Sequence, residues 1–121
     1  MYDQRKRKKL SKAQRLQPYE KYNKRCAYCG CELDYNEMQV DHKVPVYLEG
    51  KDVLENYLPA CRSCNLYKRT MTIEKFRLQL ETLGMRMKRD SSNYRILLRY
   101  GLINEQEQKV RFYYEKLEEQ K

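Results

Sequence analysis

No run of about 18 apolar residues occurs anywhere in the chain, which excludes a helical membrane span. No short apolar stretch follows the basic N-terminus, so no secretory signal is read there. Acidic residues are scarce at the start: residues 1–25 hold only Asp3 and Glu20. Histidine is reduced to His42 alone. Without an export signal, an odd count of five cysteines argues against a disulfide framework.

What is present is positive charge, placed unevenly. The 121 residues suit one domain, and 40% hydrophobic against 36% charged residues leave a small core. The net charge is +9. Residues 1–25 carry ten Lys/Arg and hence +8, which leaves +1 for the rest. A basic excess of this kind in a small chain points to a polyanion, most often nucleic acid. The run Arg5, Lys6, Arg7, Lys8, Lys9 reads as a nucleic-acid patch, the alternative being a solvated arm that aids solubility.

The cysteines are ordered as Cys26-x-x-Cys29, then 31 residues, then Cys61-x-x-Cys64. Two such knuckles place four thiolates around one ion and suit a tetrahedral Zn2+. Gly30 tolerates the positive φ of the tight turn that lets Cys29 reach the ion held by Cys26. A Cys29-x-Cys31 pairing is conceivable, but strand alternation would turn the two apart, and Cys31 is read as a free thiol. Four protein ligands leave no open position, so this zinc is structural. A domain with so little core needs such a staple, and chelation should unfold it.

Between the knuckles Met38, Val40 and His42 alternate, as on a strand with one buried face, which turns Asp41 to the opposite face. Pro45 ends the strand. A loop through Gly50 follows, then Asn56, the second knuckle, and Asn65 at the start of a helix through Arg69. An Asp beside the sole His, with an Asn downstream and another behind a zinc ligand, has the parts for metal-assisted phosphodiester hydrolysis. Carboxylate and amide oxygens suit a hard cation, and an imidazole can take a proton from water.

These pieces resemble the HNH endonuclease family with its ββα-metal fold. The matching residues are Cys26-Ala-Tyr-Cys29, Val40-Asp41-His42, Pro45, Gly50, Glu55-Asn56 and Cys61-Arg-Ser-Cys64-Asn65 with Lys68, about a third of the chain. The resemblance implies that His42 is the general base, that Asp41 and Asn65 hold Mg2+ or Mn2+, and that Asn56 orients the loop carrying the histidine. It implies DNA as partner, a single-strand nick as the default product of a monomer or weak dimer, and the cytoplasm of a bacterial or phage-infected cell. Lys68, and beside it Arg69, would reach flanking phosphates.

The expected fold class is α+β, a small zinc-stapled ββα-metal module with flanking helices. The expected organisation is a basic arm and short helix over 1–25, the nuclease module over 26–70, and a helical extension over 71–121. Ser11 caps the first helix, with Leu10, Ala13 and Leu16 spaced by three, and Pro18 interrupts it. From Thr72 a helix runs to about Leu83, with Ile73, Phe76, Leu80 and Leu83 on one face and Gly84 as its C-terminal cap. Another spans Ser92 to Tyr100 with Tyr94, Leu97 and Leu98 inward and Gly101 after it. Val110, Phe112 and Tyr114 alternate as a terminal strand would, although flanking polar residues leave helix open. Arg86, Lys88, Arg89, Arg95 and Arg99 allow a DNA-contacting role for the extension, but packing is favoured. Tyr19, Tyr22 and Tyr28 are read as packing residues before base-stacking ones. Two other functions compete with the nuclease: a non-catalytic zinc-ribbon DNA-binding module, and a zinc-stapled protein-interaction module.

Overall fold

A computed structural model describes residues 9–106 and 109–120. Among the described residues the architecture is α+β, with six α-helices, two short 3-10 turns and one two-stranded sheet. By contact, the described residues of Met1–Ile73 and Arg111–Lys121 form one unit, and Glu74–Val110 form a second.

In the first unit, α1 (Lys12–Lys21) starts at Ser11, whose hydroxyl accepts from Gln14 N while Gln14 Oε1 accepts from Ser11 N. Pro18 does not interrupt it. The ring is fully buried, and only one backbone bond is lost near the helix end, so packing outweighs the missing donor. Strands β1 (Gln39–His42) and β2 (Tyr57–Ala60) pair antiparallel, with Asp41 opposite Leu58 and His42 opposite Tyr57. Met38, Val40 and Tyr57 form the core cluster, covered by Leu10, Tyr19, Leu33 and Tyr35. Helix α2 (Arg62–Lys68) follows β2 directly. Asp41 is buried together with Val40 and His42, so the strand is enclosed on both faces, not one.

Part of the N-terminal charge is structural. Arg15 donates to the Met38 carbonyl at 2.9 Å, and Arg25 donates to Gly30 O at 3.0 Å. Tyr22 and Tyr28 are buried and Tyr19 is half-buried, which fits packing. Arg5, Lys6, Arg7 and Lys8 lie outside the described residues, and Lys9 is exposed.

The terminal strand is not formed. Residues 110–112 are irregular, and α6 (Tyr113–Glu119) begins beyond Phe112, whose N–H donates to Glu115 Oε1 at 2.9 Å. Phe112 is extended just before the helix, so Phe112 and Tyr114 both point inward without strand geometry, against Tyr28. Backbone bonds from Tyr113 N to Tyr28 O and Tyr114 N to Ala27 O fasten this segment to the first knuckle.

The second unit is helical: α3 (Ile73–Glu81, which begins one residue before it), α4 (Leu83–Asp90) and α5 (Ser92–Arg99). The turn falls at Thr82, so Gly84 lies inside α4 instead of capping α3. Leu97 is exposed, whereas Tyr94 and Leu98 are half-buried. Ser91 caps α5, and Gly101 takes φ +68° after it. Arg86 and Arg95 spend donors on the carbonyls of Gln79, Lys88 and Arg89. No helix among the described residues is long and apolar enough to cross a membrane.

Candidate functional site

The candidate metal centre is built by a turn and a helix start. Residues 26–31 close a tight hairpin: Cys26 N donates to Cys31 O at 2.8 Å and Gly30 N to Cys26 O at 2.9 Å. Gly30 has φ +81°, the left-handed conformation in which a side chain is strained. Cys61 is the N-cap of α2, and its Sγ accepts from Cys64 N at 3.4 Å. The thiols of Cys26, Cys29, Cys31 and Cys61 lie within 4.8 Å of one another. Cys64 falls outside this group of four, although its thiol adjoins those of Cys26 and Cys61. Cys31, read from the sequence as a free thiol, thus stands among the thiols that could hold an ion. Residues 26–31 are a turn, not a strand, so alternation does not carry Cys31 away.

The thiols oppose one another. The Cys64 thiol beside Cys26 holds that group down at about 4. The same contact pushes Cys64 up, and partial desolvation followed by the adjacent Cys29 thiol pushes the otherwise exposed Cys31 up to about 12. Crowded thiolates cannot all ionise without a counter-charge, and a soft-ligand dication such as Zn2+ supplies one. The donor set thus fits zinc.

The second centre starts from β1. Asp41 Oδ2 accepts twice, from Tyr28 Oη at 2.5 Å and from Lys68 Nζ at 2.8 Å. Burial, followed by the adjacent Asp41 charge, pushes the Tyr28 phenol well above its ordinary range, so it stays a donor. Lys68 has 0% of its side chain exposed and also donates to His42 O at 3.1 Å. Its reading as a phosphate contact is corrected: α2 packs on β1 and turns Lys68 inward, where Asp41 neutralises it. Removing one partner of a buried ion pair costs about 3–5 kcal/mol. Lys68→Ala should lower the unfolding free energy in urea by about that amount.

His42 Nε2 lies 2.9 Å from Asp52 Oδ1, which also accepts from Tyr57 Oη at 2.6 Å. The ring meets Tyr57 edge-on at 5.5 Å. Asn56 does not face the reacting space. Its Oδ1 accepts from Val44 N, and its Nδ2 donates to Val44 O and Lys51 O, all at 2.8–2.9 Å. It clamps the loop that follows His42. Gly50 makes the clamp possible, because a Cβ there would stand 1.8 Å from Val44 O.

Asp41, His42 and Asn65 line one open cavity of about 860 Å3, with Tyr47, Arg69 and Thr70 among its other walls. Asp41 Oδ1, His42 Nδ1 and the Asn65 amide carry no partner among the described residues, and no enclosed side-chain N or O lacks one. These atoms are therefore not enclosed. A carboxylate and an amide oxygen fit a hard divalent cation. Sequence reasoning missed Asp52, Tyr57 and Tyr28. The only signal for Asp52 was a carboxylate in the loop after Gly50.

Residues 26–70 match the family model described as HNH endonuclease. Among solved structures, the chain is similar to the Type II-C Cas9 enzyme from Actinomyces naeslundii, with TM-score 0.51 and 25% identity over 64% of this chain. The match spans 8% of that enzyme's length. No curated protein matches the chain.

Proposed function

We propose that this chain, in which residues 26–70 form an HNH endonuclease domain, hydrolyses phosphodiester bonds in DNA with His42 as general base. The observation that carries this reading is the one cavity that Asp41, His42 and Asn65 line together. Their remaining polar atoms are largely committed to the scaffold. Asp41 Oδ2 is held by Tyr28 and Lys68, and His42 Nε2 by Asp52.

With Nε2–H donating to Asp52, the His42 lone pair is on Nδ1, which takes a proton from the attacking water. Asp41 Oδ1 and the Asn65 amide oxygen would hold Mg2+ or Mn2+, which supplies Lewis-acid stabilisation of the phosphate and of the departing 3′ oxygen. Asp52 orients the imidazole, and Tyr57 orients Asp52. Arg69, exposed at the cavity wall, is the flanking phosphate contact in place of Lys68. One centre per chain makes a nick the default product of a monomer or weak dimer.

Zinc-loaded protein is incubated with supercoiled plasmid, with and without Mg2+ or Mn2+. Relaxed product that requires the added cation supports the enzyme. Plasmid binding without relaxation would favour the non-catalytic zinc-ribbon module. In the same assay Asp52→Ala should lower kcat up to about tenfold, the worth of one hydrogen bond, with KM unchanged. Asp52→Asn keeps an oxygen acceptor and should recover most of the loss. Deleting residues 1–9 should weaken DNA binding and flatten the log Kd against log salt slope by up to about 4.5, as five phosphate contacts would require. Titrations at several salt concentrations read this directly.

A further inference from the structure

Five thiols converge where a tetrahedral zinc takes four. Zinc–sulfur bonds of about 2.3 Å put the sulfurs of such a shell about 3.8 Å apart. Cys29 Sγ and Cys61 Sγ stand 3.9 Å apart, close to that spacing before any ion is added. Cys26, Cys29 and Cys61 belong to both shells that can be drawn. For the fourth place, the knuckle spacing offers Cys64, whereas the fold brings in Cys31.

Each contender is held by backbone bonds that do not involve its own sulfur. Cys31 O accepts from Cys26 N at 2.8 Å, which pins Cys31 across the hairpin. Cys64 N donates to Cys61 Sγ at 3.4 Å within α2, which pins Cys64 beside the same thiol. Cys31 is exposed and Cys64 half-buried, so neither is locked by packing.

We propose that Cys31 and Cys64 are alternative fourth ligands of one zinc, exchanging around the fixed trio Cys26, Cys29 and Cys61. The inference rests on the zinc reading above. In the exchange one zinc–sulfur bond forms as another breaks, the incoming thiol gives up its proton and the outgoing thiolate takes one. The shell keeps its charge, and nothing is oxidised or reduced. The ion changes a ligand without leaving the protein.

The test uses the full chain loaded with Co2+, whose thiolate charge-transfer band counts bound sulfurs. Cys31→Ser and Cys64→Ser should each keep the four-thiolate band of the parent. The double variant should fall to the three-thiolate band and bind zinc at least about tenfold more weakly. A three-thiolate band in Cys64→Ser alone makes Cys31 a bystander, and in Cys31→Ser alone makes Cys64 one; either result overturns the exchange. A parent without any charge-transfer band refutes the zinc reading itself. Because a variant can fail to fold, the zinc-loaded parent is also alkylated with iodoacetamide and mapped by mass spectrometry. The label should divide between Cys31 and Cys64, and label confined to one of them overturns the proposal.

Discussion

His42→Ala should reduce cation-dependent plasmid relaxation by about 10²–10⁴-fold, the usual worth of a positioned general base. DNA binding and the folded state should survive the change. The backbone of residue 42 keeps its place in the β1–β2 ladder, and Lys68 still donates to its carbonyl, since neither contact uses the imidazole. Asp52 keeps the Tyr57 hydroxyl at 2.6 Å, so the lost ring leaves no carboxylate stranded. The stability cost is limited to the ring's edge contact with Tyr57 and one hydrogen bond, about 1–2 kcal/mol. Activity and fold are thus separable at this position. Relaxation at the parental rate by a well-folded variant would remove His42 from the reaction.

Zinc removal is the second large effect, and it acts on the fold first. The sheet has two strands of four residues, a size that is marginal alone in water. Its core cluster is three residues with partial cover from four more. Structural zinc contributes an apparent ~10–16 kcal/mol in small modules, as much as a whole domain's ordinary stability of ~5–15 kcal/mol. A zinc held there would join the turn at residues 26–31 to the residue that caps α2, and α2 carries both Asn65 and Lys68. Chelation should therefore abolish the cooperative thermal transition and the near-ultraviolet tyrosine signal of Tyr22, Tyr28 and Tyr57. Cleavage should vanish with them and return when zinc, not Mg2+ alone, is restored. An unchanged melting temperature after complete removal would refute the staple.

Most of what was legible in the sequence was carried by short spacings between unusual residue types. Cys26-x-x-Cys29 and Cys61-x-x-Cys64, Asp41-His42 and Asn65 mark a chemistry because few other uses place those donors so close together. Ser11 as a cap and Gly101 after the Ser92 to Tyr100 helix were legible because a cap is settled within one helical turn. Pro18, Gly84 and the 110–114 alternation misled for the converse reason. Local preference there is worth about 1–3 kcal/mol and yields to burial of a proline ring, to a turn at Thr82, and to an aromatic cluster around Tyr28.

The +8 of the first 25 residues has also divided. Arg15 and Arg25 hold carbonyls within the first unit, so fewer cations remain for a polyanion than composition implies. The sequence by itself determined which atoms are available: thiolates for a staple, one imidazole, one adjacent carboxylate, two amides. Only the tertiary structure decided how each is used. Lys68 meets Asp41 and His42 across 27 and 26 positions of chain and becomes a buried counter-ion instead of a phosphate contact. Asp52 reaches His42 through a loop closed by Asn56 and Gly50, and Cys31 reaches the other thiols through a turn. The physical reason is common to all three: a charge or a donor acts on what surrounds it in space, and burial, which sets that company, is a property of the packed chain.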